Sequence, residues 1–130
     1  MLTVSRTQIR LPILATVTIG MGSWLQVPGG TWSPDANVVA EAASKLHAYA
    51  EQQASAKGFA LQQWPSYTFQ YQGRDLSGHH VLYINAFCGQ PPAYANAQLV
   101  QVFDGGTCYF SAYYDPVKKQ FVGIVFNGVA

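Results

Sequence analysis

Residues 33–72 read SPDANVVAEAASKLHAYAEQQASAKGFALQQWPSYTFQYQ, and the hydrophobic period changes within them. In the first part, apolar residues recur at Val39, Ala42, Leu46, Tyr49 and Ala50, the spacing of one helix face. Ser33 suits an N-cap, Pro34 suits the first helical position, and Asp35 places a negative charge in the first turn. Glu41 and Lys45 stand four apart in the favourable order. Gly58 is a natural residue to follow the last turn. These signals predict one helix over about 34–57. Its apolar stripe is Ala-rich and thin, so it can lie close against a sheet. From Tyr67 the period is two: Tyr67, Phe69 and Tyr71 alternate with Thr68, Gln70 and Gln72.

The rest of the chain keeps the strand pattern. Gly73–Gly78, GRDLSG, reads as a turn, and His80–Cys88 as a strand with bulky residues on both faces. Gly89–Ala97 is a loop, because Pro91-Pro92 cannot sit within a ladder. Leu99–Phe103 is short and β-prone; it is either a rung of the sheet or part of a longer loop excursion. Asp104-Gly105-Gly106 is a turn, Thr107–Tyr114 alternates again, Asp115-Pro116 opens another turn, and Phe121–Phe126 is the last strand. The expected fold is α+β, with the helix covering one face of a four- to five-stranded antiparallel meander. Parallel pairing would need a crossover helix, and none follows the first.

A chain of 130 residues corresponds to one domain. Upstream of the helix, Arg6 and Arg10 precede the apolar run Leu11–Leu25, LPILATVTIGMGSWL. A basic flank before a short apolar run reads as an export signal. The run is shorter than the roughly 20 residues of a membrane span and contains Pro12, Gly20 and Gly22. Residues 1–30 are therefore expected to be a signal peptide, with an uncleaved N-terminal anchor or a cytosolic arm that packs on the core as the alternatives, and 31–130 a single α+β domain, the linker Val27–Trp32 spanning the boundary. The expected compartment is periplasmic or extracellular, with the membrane reached only through that N-terminal segment.

Composition narrows the function classes. Hydrophobic residues make up 49% and charged residues only 10%, which argues against disorder. Loss of Arg6 and Arg10 from the seven bases would leave five against six acids, a net −1. That gives no electrostatic footprint for nucleic acid. Lys118-Lys119 is a pair in a solvated turn.

Chemistry-bearing residues are few. His79-His80 with Asp75 is the closest approach to a metal or acid/base cluster. Adjacent strand residues point to opposite faces, so these histidines are read as surface turn residues. Cys88 and His80 would stand roughly 26 Å apart along one strand, too far for a nucleophile and its base. Asp104-Gly105-Gly106 lacks the Lys and Ser/Thr of a phosphate loop. No catalytic residue, metal or cofactor is assigned. Cys88 and Cys108 are an even pair, as in disulfide-forming exported proteins. If Leu99–Phe103 is a full rung, the chain reverses twice and the two cysteines lie at opposite ends of the sheet. If 89–106 is an excursion, they meet at one end of a directly paired hairpin. The candidate binding surface is aromatic: Tyr67, Phe69, Tyr71, Tyr83, Tyr109 and Tyr113, on neighbouring strands, would form an amphipathic patch if they occupied the face away from the helix. The alternative is that this face is covered by the N-terminal segment or a dimer mate, or that these residues are the core.

The stretches YINAFC at 83–88, DGGTCYFSAYYDP at 104–116 and FNGVA at 126–130 resemble a group of uncharacterised bacterial exported proteins. That resemblance implies an export signal or lipid anchor before a small α+β domain, and it favours pairing Cys88 with Cys108. It implies no activity. Helix followed by meander is also similar in architecture to the cystatin inhibitors. Their Q-x-V-x-G hairpin is met only in part by Gln98-Leu99-Val100-Gln101-Val102, where Val102 replaces the Gly. The expected function is a non-enzymatic exported domain that binds a protein or cell-envelope component. The alternatives are an inhibitor of a hydrolase, of the cystatin or lysozyme-inhibitor type, using Gly89–Ala97 or Asp104–Thr107 as a wedge, and a small enzyme.

Overall fold

A computed structural model of the chain describes residues 16–19, 22–102 and 104–128. Arg6, Arg10 and the start of the signal-like run lie outside the described residues. The elements are β1 (Thr16–Ile19), β2 (Gly22–Gln26), α1 (Ala36–Ala56), β3 (Tyr67–Leu76), β4 (His79–Cys88), β5 (Tyr109–Asp115) and β6 (Gln120–Phe126). The strands form one six-stranded sheet in sequence order, β1 to β6. The fold is α+β, with α1 packed on one face of the sheet.

Strands β3 to β6 pair as the expected antiparallel meander. The sheet as a whole is mixed, because β2 pairs with β3 in parallel, Trp24 beside Phe69. The crossover that parallel pairing requires is α1 itself, which joins β2 to β3. Part of the apolar run read as a leader is thus sheet. Trp24, Leu25 and Val27 are buried, and the Trp24 ring stacks on Phe69 at 4.7 Å. Packing therefore begins upstream of residue 31. Among the described residues, no helix is long and apolar enough to cross a membrane.

The helix is slightly shorter than expected. Asp35, not Ser33, is the N-cap: its carboxylate accepts from the Val38 N–H at 3.0 Å. At the other end Gly58 N–H bonds Ser55 O at 3.0 Å and Phe59 N–H bonds Ala54 O at 2.8 Å, the paired bonds of a Schellman motif. The buried stripe is Val39, Ala42, Leu46, Ala50 and Ala54. It meets Tyr67, Phe69, Tyr71, Leu82, Ile84, Phe110, Ala112 and Tyr114 from the sheet. Glu41 ties helix to hairpin: the Tyr114 hydroxyl donates to it at 2.6 Å and Lys119 Nζ at 3.1 Å. These bonds lower the Glu41 pKa, and burial with the adjacent carboxylate raises that of Tyr114.

Residues 73–76, expected in a turn, continue β3. The reversal is only Ser77-Gly78, both at positive φ (52° and 82°), as a two-residue hairpin turn requires. Gly73 has a separate role. A Cβ there would strike the Trp32 carbonyl, which crosses at close range so that the indole N–H can donate to Arg74 O at 2.9 Å. Residues 99–102 form no strand, and β4 pairs directly with β5. Of the two arrangements open to the cysteines, the excursion is the one present, and Cys88 and Cys108 are joined by a disulfide.

Candidate functional site

The six aromatic residues of the expected surface divide between the two faces of the sheet. Tyr67, Phe69 and Tyr71 face the helix and are buried in the core, so they present no surface. The Tyr67 hydroxyl is spent there, donating to Thr107 O at 2.6 Å and accepting from Gln62 N–H at 3.1 Å. Side chains alternate along a strand, and β3 happens to aim its aromatics at the helix. Tyr83, Tyr109 and Tyr113 lie on the outer face, where Tyr83 is itself buried and Tyr109 and Tyr113 are half-buried.

On that face the Tyr83 and Tyr113 rings meet at 5.3 Å. The Arg74 guanidinium lies 3.7 Å above the Tyr83 ring, and its Nε donates to Gln72 Oε1 at 2.7 Å. Gln72 is fixed in turn by donating to Pro28 O at 3.0 Å. Arg74 is therefore held in place over the ring and half-buried, and among the described residues no carboxylate pairs with it. Burial raises the Tyr83 pKa, and the Arg74 charge partly opposes this. Tyr109 instead packs on Gly105, where a Cβ would strike its ring. Tyr113 is half-buried, with Val125 exposed on the neighbouring strand.

The other half of the outer face is covered by the 89–105 excursion. Gln70 is fully buried and uses its whole hydrogen-bonding capacity to hold that segment. Its Nε2 donates to Ala95 O and Gln98 O, each at 2.8 Å. Its Oε1 accepts from Val100 N–H at 2.8 Å and from Asn85 Nδ2 at 2.9 Å. Asn85, directly opposite on β4, also donates to Val100 O at 2.8 Å. The disulfide closes the base of the excursion, and Asn127 donates to Val102 O and Asp104 O at its far end.

The remaining chemical groups stay apart. His80 Nδ1 meets Asp75 Oδ1 at 2.6 Å on the exposed hairpin end, with Trp32 stacked on the His80 ring. His47 stacks on Trp64 at 4.2 Å and lies 3.6 Å from Glu51. These residues line an open groove of about 910 Å³ between the end of α1 and the 59–65 segment. A second groove of about 550 Å³ lies across Phe59, against Asp104–Thr107. Both cysteines are oxidised and cannot act as nucleophiles. Among the described residues, no three His, Cys, Asp or Glu gather as a metal set.

Sequence reasoning missed Arg74, Gln72, Gln70 and Asn85. The available signal was β4, whose bulky residues on both faces require two covered faces. Compared with known proteins, the chain matches no family model, no curated protein and no solved structure.

Proposed function

We propose that the chain is a non-enzymatic exported domain of the bacterial envelope that binds a protein or envelope component presenting a carboxylate. The observation that carries this reading is Arg74, stacked on Tyr83 beside Tyr113 and unpaired by any described carboxylate. Arg and Tyr held rigid on a surface are the side chains that most often dominate binding energy. Pre-positioning of the guanidinium lowers the entropy cost of capturing a planar carboxylate. The Cys88–Cys108 bridge supports export, since such bonds persist in oxidising compartments.

The inhibitor reading draws on the antiparallel β3–β6 meander under one helix, an arrangement of the cystatin type. It gains Tyr94, exposed on the pinned excursion. It is the weaker reading, because Gln98 O, Val100 N–H and Val100 O are all bonded to Gln70 or Asn85 and are not free to enter a cleft.

The test uses the oxidised chain, immobilised and exposed separately to solubilised envelope proteins and to purified cell-wall material. A specifically retained component should bind about tenfold more weakly to Arg74→Glu and to Tyr113→Ala. Retention indifferent to both changes, in variants that melt like the parent, would rule the surface out.

A further inference from the structure

The edge strand β6 carries a second inference, independent of the binding reading. Among the described strands, β6 pairs only with β5, so one row of its backbone N–H and C=O groups is unpaired. Protein edges are ordinarily guarded by charges, proline or a bulge. β6 reads QFVGIVF, with neither charge nor proline. It has one bulge, where Val122 is the extra residue opposite the Tyr113/Tyr114 step. Beyond it, Gly123–Phe126 run in regular register with β5. Val122 and Val125 are 44% and 58% exposed along this edge.

The charges at the two ends of β6 select the occupant. Lys118 stands exposed just before the strand and, among the described residues, forms no ion pair. Exposed Asp104 stands at the other end, placed there by the Asn127 side chain, which donates to its carbonyl at 3.2 Å. We infer that β6 pairs edge to edge, antiparallel, with β6 of a second copy of this chain. A twofold pairing centred in Gly123–Phe126 brings Lys118 of each copy toward Asp104 of the other, twice per dimer. Parallel pairing would set Lys118 against Lys118 and Asp104 against Asp104.

The test is sedimentation of the oxidised full chain over a concentration series, with amide hydrogen exchange at both ends of that series. A monomer–dimer equilibrium is expected, with slower exchange at Gly123–Phe126 in the concentrated sample. Val125→Lys, at an exposed position, should leave the melting temperature of the dilute, monomeric sample unchanged and abolish the dimer at high concentration. Lys118→Asp and Asp104→Lys should each weaken dimerisation by roughly tenfold, and the double exchange should restore it. A chain monomeric at every soluble concentration would overturn the inference. So would a dimer that survives Val125→Lys, or single charge reversals that the double exchange does not rescue.

Discussion

The two faces of the sheet are closed by different chemistry. Under α1 the contact is apolar and aromatic: Trp24, Tyr67, Phe69, Tyr71, Phe110 and Tyr114 against an Ala-rich stripe. Under the 89–105 excursion it is a set of directed hydrogen bonds from Gln70 and Asn85, helped by a disulfide. The first closure scales with area and makes no directional demand. The second depends on one residue at one place, since a buried amide with an unmet partner costs more than its bond contributes. An irregular segment can lie against a sheet only if its backbone groups are met, and Gln70 meets three of them.

The largest expected effect is on the helix side. Trp24→Ala should cost about 4 kcal/mol in denaturant unfolding, as for other large aromatic deletions in cores. A loss below about 1 kcal/mol would mean that β2 is not part of the folded unit. It would also return Trp24 to the leader that its apolar run resembles.

Next is the staple of the second face. Replacing Cys88 and Cys108 together by Ala opens a loop of 20 residues separation and should cost about 3 kcal/mol. Reduction of the parent should match it. Gln70→Leu should cost less, about 2 kcal/mol, because the excursion can lift and its freed carbonyls find water. The loss should appear as faster amide exchange over residues 93–100, with the helix amides little changed. Equal acceleration in both regions would mean that the two faces open as one unit.

The smallest effect is electrostatic and belongs to the helix side. The Glu41 pKa is held below its ordinary 4.5, chiefly by the Tyr114 hydroxyl and then by Lys119. A depressed carboxylate adds stability that is full above its unfolded value and is lost as pH falls through the folded one. Melting temperature should therefore decline below pH 4.5, and Glu41→Gln should make that decline shallower. Asp115, lowered by the Lys118 and Val117 amides, leaves a residual slope. An identical acid profile in Glu41→Gln would show that the Tyr114–Glu41 bond does not couple helix to sheet.

What was legible in the sequence follows the same division. The helix was readable because apolar spacing and Gly58 agree, although its cap is Asp35 and not Ser33. The strands from Tyr67 onward were readable from alternation. Strand β2 was not, because WLQV after two arginines has the composition of a leader. The parallel pairing was lost with it, since α1 was then not seen as a crossover. The polar partners of β3 were ambiguous for another reason. Alternating Thr68, Gln70 and Gln72 fit a solvated face as well as a buried clamp, and only the double-sided bulk of His79–Cys88 argued for cover. Arg74 fell within an expected turn because the reversal was read as six residues instead of two.

The clamp itself is tested most directly by the exchange rate of a single amide, Val100 N–H, in the unmodified oxidised chain. It donates to the buried Gln70 Oε1 at 2.8 Å although it belongs to no strand or helix. Protection comparable to that of the β3 and β4 amides is the expected result. Exchange as fast as in an exposed loop, with β3 and β4 still protected, would contradict a second face closed by Gln70.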